Sequence, residues 1–191
     1  MGLDMWVRRI KKPDIENRVY TSKELHSLVG SFMTEEEFER EGESFSQLTP
    51  YVEKVRVISE YYDIEKMAAN YEMCNVHISA WTGTHITICG KDSAGNRVSR
   101  DISNDEVNEK FTIQKEEDAY AWDSEEIAYW RKHYDLQSDF YDLLGDVQNC
   151  GYYLLDAETI VEMKERWSED MREVPIEDPT EESALFYHEW Y

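Results

Sequence analysis

Apolar and polar residues alternate at the start of the chain. Leu3, Met5 and Val7 interleave with Asp4, Trp6 and Arg8, the period of two of a half-buried strand, which Pro13 then ends. Ser22 is placed to cap a short helix through Leu28 and Val29, with Gly30 as its stop. Thr34 with Glu37 three residues on makes a capping box for a second short helix ending near Gly42. Thr49-Pro50 and Glu53 read as another helix start, because proline is tolerated at the first helical position. Val55, Val57 and Ile58 also suit a strand; of the two readings, helix is preferred for residues 51–62.

The middle reads as sheet. Val76, Ile78 and Ala80 alternate with Asn75, His77, Ser79 and Trp81, and after Thr82-Gly83-Thr84 the alternation resumes with Ile86 and Ile88, which predicts a hairpin with one apolar face. Asp92–Asn96 supplies the next turn, and Val98, Arg100 and Ile102, then Phe111 and Ile113, continue a meander. With no strand-helix-strand alternation in this stretch, the sheet is expected to be antiparallel.

The last third reads as helical. Asp123 with Glu126 resembles a capping box, and Ile127, Trp130, Tyr134, Tyr141 and Leu144 fall on one side of the helix it would open, stopped by Gly145. Tyr152–Leu155 suits a short extended piece. Asp156 then caps a second helix carrying Ile160, Met163, Trp167 and Met171 at helical spacing. Pro175 and Pro179 frame an acidic linker, and the aromatic end from Ala184 to Tyr191 is expected to dock back on the body. The pattern thus predicts an α+β fold in a single domain, 1–191. Residues 1–48 form a strand and short helices, 49–115 are mainly a central antiparallel sheet, and 116–191 hold two longer acidic helices.

Charge changes this picture more than composition does. The 191 residues include 42 Asp and Glu against 20 Lys and Arg, a net charge of −22, while 41% are apolar and 13% aromatic. That much apolar and aromatic content fills a core, so the chain is a folded acidic protein and not a solvating tail. The charge weighs against direct binding to nucleic acid or an anionic membrane, both polyanionic themselves. It is placed unevenly, since residues 116–191 hold 22 acidic and 5 basic side chains. Three cysteines, Cys74, Cys89 and Cys150, make no even framework. No apolar run approaches the roughly 18 residues of a membrane span, and the first residues lack the apolar core of a secretory signal, so a cytoplasmic protein is expected.

Two constellations stand out. Asp135, Asp139, Asp142 and Asp146 recur at i, i+4, i+7 and i+11, and so do Glu158, Glu162, Glu165 and Glu169. Each set makes one stripe along a helix face. Eleven residues at 1.5 Å rise span about 16 Å, the length of roughly five phosphates on one strand. Such stripes are candidates for binding a basic protein surface in place of nucleic acid; the plain alternative is that they are the solvated faces of amphipathic helices. The second constellation, Cys74, His77, His85 and Cys89, has the spacing of a zinc site. Strand alternation puts Cys74 on the Ile78 face, away from His77, leaving His77, His85 and Cys89 as an open three-ligand set. No nucleophile elbow, glycine-rich phosphate loop or calcium loop is present, so no catalytic residue, cofactor or resident metal is assigned.

Met1-Gly2-Leu3-Asp4-Met5-Trp6-Val7, Glu126-Ile127-Ala128-Tyr129-Trp130-Arg131-Lys132 and Asn149-Cys150-Gly151-Tyr152-Tyr153 together resemble a family of small phage, prophage and mobile-element proteins. Its members open with Met-Gly-Leu-Asp-Met-aromatic and carry a Tyr-Trp-Arg-Lys helix. The likeness covers the first ten residues and scattered motifs from 76 to 167. It implies a mobile-element origin and a small α+β domain, and no reaction. After Tyr-Trp-Arg-Lys the family continues with an Ile-His and a Trp-Phe pair where this chain has Leu136-Gln137 and Asp139-Phe140. The family's His is therefore Gln137 here, and its Trp is Asp139, a member of the first stripe. Phage-borne acidic proteins are similar to nucleic-acid mimics that block restriction or CRISPR effectors, and the gain of carboxylates fits that class. The function expected is a non-enzymatic inhibitor whose partner is a basic nucleic-acid-binding host protein. The alternatives are a metal-dependent enzyme or accessory protein using His77, His85 and Cys89, and an assembly protein whose acidity serves solubility.

Overall fold

The structure is a computed structural model that describes residues 2–191. In chain order its elements are β1 (Asp4–Lys11), β2 (Val19–Thr21), α1 (Ser22–Leu28), β3 (Ser31–Thr34), α2 (Glu35–Glu41) and β4 (Glu53–Tyr62). There follow α3 (Ile64–Asn70), β5 (Cys74–Trp81), β6 (His85–Lys91), β7 (Arg97–Ser103), α4 (Asn104–Lys110) and β8 (Thr112–Arg131). The last four are α5 (Tyr134–Leu144), β9 (Tyr152–Leu155), α6 (Ala157–Arg166) and β10 (Ser183–Trp190). The fold is α+β. The sequence reading takes 1–191 as one domain; the chain divides into two compact units, one of residues 1–57 with 117–191 and one of residues 58–116.

The larger unit is built on a seven-stranded sheet in the order β2-β4-β8-β1-β10-β9, with β3 also pairing β8. β10 runs antiparallel to β1 from Asp4 opposite Trp190 to Lys11 opposite Ser183. Flanked by β1 and β9, β10 is covered on both faces, so Ala184, Leu185, Phe186 and Tyr187 are buried in succession instead of alternately. Leu185 and Tyr187 join Leu3, Met5 and Val7 beneath Leu136 and Phe140 of α5 and Ile160 and Met163 of α6. The Phe140 and Tyr187 rings stack with centroids 4.2 Å apart. Ala184 and Phe186 instead pack with Ile10, Trp122 and Tyr152 against Phe38 of α2 and Phe45, Leu48 and Tyr51.

Local signals set the short helices. α1 starts at the N-cap Thr21, one residue before the predicted Ser22, and Thr21 and Glu24 close a capping box. Thr34 and Glu37 close the predicted one at α2, which ends at Gly42. Residues 53–62, read as helix, are strand: Pro50 serves a single 3₁₀ turn, Thr49–Tyr51, and Val55 and Val57 then point into a core with Tyr20, Leu25 and Ala121.

The helix expected from Asp123 is also strand, and Tyr129-Trp130-Arg131 is the end of β8. Its pairing decides this, because β1 runs alongside from Asp4 opposite Arg131 to Lys11 opposite Asp123. A register shift between Val7 and Arg8 absorbs one extra residue of β8. Glu125 forms an ion pair with Arg9 across the ladder at 2.7 Å. The helix begins only after Lys132 turns through φ 56° and His133 accepts from the Leu136 N–H.

The smaller unit is a three-stranded antiparallel sheet, β5-β6-β7, with α3 and α4. Ile86, Ile88 and Ile102 pack with Met67, Val107 and Phe111. The meander is interrupted by α4, which the sequence reading passed over; Ser103 caps it by accepting from Glu106 N–H. β5 lies at the sheet edge, and of the predicted apolar face of Val76, Ile78 and Ala80 only Val76 is partly buried, against the core of this unit. Among the described residues no helix is long and apolar enough to cross a membrane.

Candidate functional site

The acidic stripes sit on α5 and α6, both in the larger unit. Each helix is positioned by a cap and an apolar face. Gly145, with φ 85°, ends α5, and Leu136 and Phe140 bury its inner side. Asp156 accepts from the Thr159 N–H at 2.8 Å to start α6, and Ile160 and Met163 bury its inner side. That backbone bond holds the Asp156 carboxyl below its ordinary range.

The two stripes meet at one guanidinium. Arg166 donates to Asp139 of α5 and to Glu162 of its own helix, and the indole N–H of Trp167 donates to the second Asp139 oxygen at 2.7 Å. The bonds from Trp167 and Arg166 hold the Asp139 carboxyl below its usual range, and the same two carboxylates raise the guanidinium. Beside them the His133 ring stands edge-on to Trp167 at 5.1 Å, with its Nε2 3.6 Å from Asp170. Asp139 is therefore a strut between helices and not a free charge.

The rest of the eight divide in two. Asp135, Asp142, Glu158 and Glu165 are exposed on the helices. Asp146 and Glu169 are exposed but lie outside them, because α5 stops at Gly145 and α6 at Trp167. Met171, expected on the same helix, is buried through an irregular turn in which its N–H bonds to the Trp167 carbonyl at 2.8 Å. Each stripe thus has three regular members over about 10 Å, the span of roughly three phosphates and not five.

The His and Cys constellation is only partly assembled. His77 stands directly opposite Cys89, whose thiol lies 3.1 Å from the Ser79 hydroxyl. His85 is four residues back along β6, roughly 13 Å away at strand rise, and its Nδ1 is engaged by the Thr82 and Thr84 hydroxyls. A register shift between Cys74 and His77, at Asn75 with φ 53°, also upsets the simple alternation used to place Cys74, which stands opposite Lys91. Among the described residues no three His, Cys, Asp or Glu side chains gather as metal ligands.

No family model matches this chain, nor does any curated protein or solved structure.

Sequence reasoning passed over one further cluster. Glu189 of β10 is fully buried and accepts from Tyr141 at 2.5 Å, Tyr187 at 2.7 Å and Gln137 at 2.9 Å. Burial and the adjacent carboxylate push both tyrosine hydroxyls well above their ordinary range, so they stay protonated donors. Gln137 also lines a depression of about 350 Å³ with Leu3, Tyr134 and Tyr191. The sequence carries only half of the signal: Gln137 and Tyr141 are four apart on a helix and Tyr187 and Glu189 two apart on a strand, so each pair shares a face, but nothing in either spacing brings the two faces together.

Proposed function

We propose that this chain is a non-enzymatic binding protein whose acidic helices occupy the basic, nucleic-acid-binding surface of a partner, a host defence effector, as a mobile-element inhibitor would. One observation carries the reading: Arg166 joins Asp139 to Glu162, so the stripes of α5 and α6 flank a common seam. Around that seam Asp135, Asp142, Glu158 and Glu165 remain exposed. The larger unit that bears them holds 32 acidic and 14 basic residues. A basic channel would exchange phosphates for these carboxylates through Arg and Lys bonds, with fast, salt-sensitive association.

The test uses the chain as bait in host lysate, with duplex DNA and salt as competitors. The expected outcome is recovery of a basic nucleic-acid-binding protein that DNA displaces. The Asp135→Asn, Asp142→Asn, Glu158→Gln, Glu165→Gln variant is expected to lose that partner while keeping its fold. Retention of the partner by this variant would overturn the reading.

A further inference from the structure

The exposed face of β5-β6-β7 carries charge of the opposite sign. Its rows follow from the register: His77 faces Cys89, Cys89 faces Ser99, and one step along, Lys91 faces Arg97. These residues, with Asn75 and the backbone of Gly90, line a groove of about 550 Å³, a volume in the range of small-molecule sites. Gly90 makes that geometry possible, since a Cβ there would lie 2.8 Å from the Cys74 carbonyl oxygen and force β5 away.

Like charges directly opposite each other destabilise an antiparallel pair. Lys91 and Arg97 nonetheless face one another, and no carboxylate forms an ion pair with either among the described residues. The nearest acid in sequence, Asp92, is turned into its own loop, where it accepts from the N–H groups of Ala94 and Asn96 and from the Asn96 amide. Asp101 is likewise engaged, accepting from Thr87 at 2.7 Å. Two neighbouring cations without an ion-pair partner among the described residues, in a groove whose lining includes no Asp or Glu, suit a compact dianion. A long polyanion would be disfavoured by the charge of the whole chain, −22. A small one would not.

We propose that this groove binds a phosphorylated small molecule. Its phosphoryl group sits between Lys91 and Arg97, and the body of the molecule lies along His77, Asn75 and Ser99. The site is in the smaller unit and does not rest on the function assigned to α5 and α6. Titration calorimetry of the full chain with adenosine 5′-monophosphate, ribose 5-phosphate and adenosine tests it. Saturable one-to-one binding of at least one phosphate ester is expected, with adenosine binding about tenfold more weakly or not at all. The double variant Lys91→Gln, Arg97→Gln is expected to weaken the ester by about tenfold or more. Its urea midpoint should be equal or higher, because a repulsion has been removed, so lost binding is separated from lost fold. If the double variant does not fold, the wild-type proton spectrum decides: the ester must move the His77 ring signals and leave those of His26 in place. Absence of saturable ester binding, equal binding of adenosine, or an unaltered double variant would overturn the proposal.

Discussion

Asp139 accepts a hydrogen bond from the Trp167 indole at 2.7 Å while its other oxygen holds Arg166. One carboxylate therefore ties the middle of α5 to the last turn of α6 and to the residue that ends it. Replacing Asp139 with Ala leaves a half-buried indole N–H and a guanidinium without their acceptor, and should cost about 1–2 kcal/mol in urea unfolding. A double-mutant cycle with Trp167→Phe should show coupling, since both changes remove the same bond. Additive losses would contradict it.

The same carboxylate sets a pH dependence. Its pKa is lowered in the folded chain by Trp167 and Arg166, so its stabilisation is complete above the unfolded carboxyl value near 4 and is lost as pH falls through the folded one. The urea midpoint of Asp139→Asn should fall less steeply between about pH 4 and pH 2 than that of the wild type.

A second group acts at milder pH. His188 is stacked on Tyr152, with ring centroids 4.3 Å apart, and on Trp6 at 5.4 Å, while its Nδ1–H donates to the Gly151 carbonyl at 2.9 Å. Burial lowers its pKa below the ordinary histidine value. The unfolded chain therefore binds the extra proton first. Stability is unaffected above about pH 6.5 and declines as pH falls from there through the folded value. His188→Phe should flatten that part of the profile, as read from urea midpoints at closely spaced pH.

Glu189 is expected to tolerate an apolar residue poorly. In Glu189→Leu the donors Tyr141, Tyr187 and Gln137 lose their common acceptor in a buried space. The loss should be about 3 kcal/mol or more, against about 1 kcal/mol for Tyr187→Phe, which removes one donor of three. Equal losses for the two variants would show that the three bonds do not act through Glu189.

Gly90→Val should loosen one sheet and leave the other intact. The new side chain meets the Cys74 carbonyl oxygen and Val76, a clash whose relief should cost about 1–3 kcal/mol. Hydrogen exchange is expected to speed up in β5 and β6 while β1 and β10 keep their protection.

Legibility in the sequence tracked how local each cause was. The caps at Thr34 and Asp156, the β5–β6 hairpin and the strand at Met5 and Val7 rest on neighbours within a few residues, and all could be read. β8 could not. Asp123 with Glu126, and apolar residues at 127, 130 and 134, satisfy a helix template as well as a strand, and only the pairing of β8 with β1 and β3 decides between them. Residues 53–62 fail for the same reason. Periodicity puts all eight stripe carboxylates on helices and six lie there, because it has no means of knowing that Gly145 and Trp167 end those helices early or that Asp139 is bonded inward. The Glu189 cluster joins α5 to β10, and no spacing in one segment reveals a contact made from two.

The pairing of β1 with β10 also orders events in time. A ribosome delivers Met5 and Val7 long before Leu185 and Tyr187, yet these four share one core beneath α5 and α6. Until the final strand emerges, β1 has one neighbour and an uncovered side, while the meander of β5, β6 and β7 has all its partners close by in sequence. The smaller unit is therefore able to fold before β10 is made, and the larger one must wait for that strand.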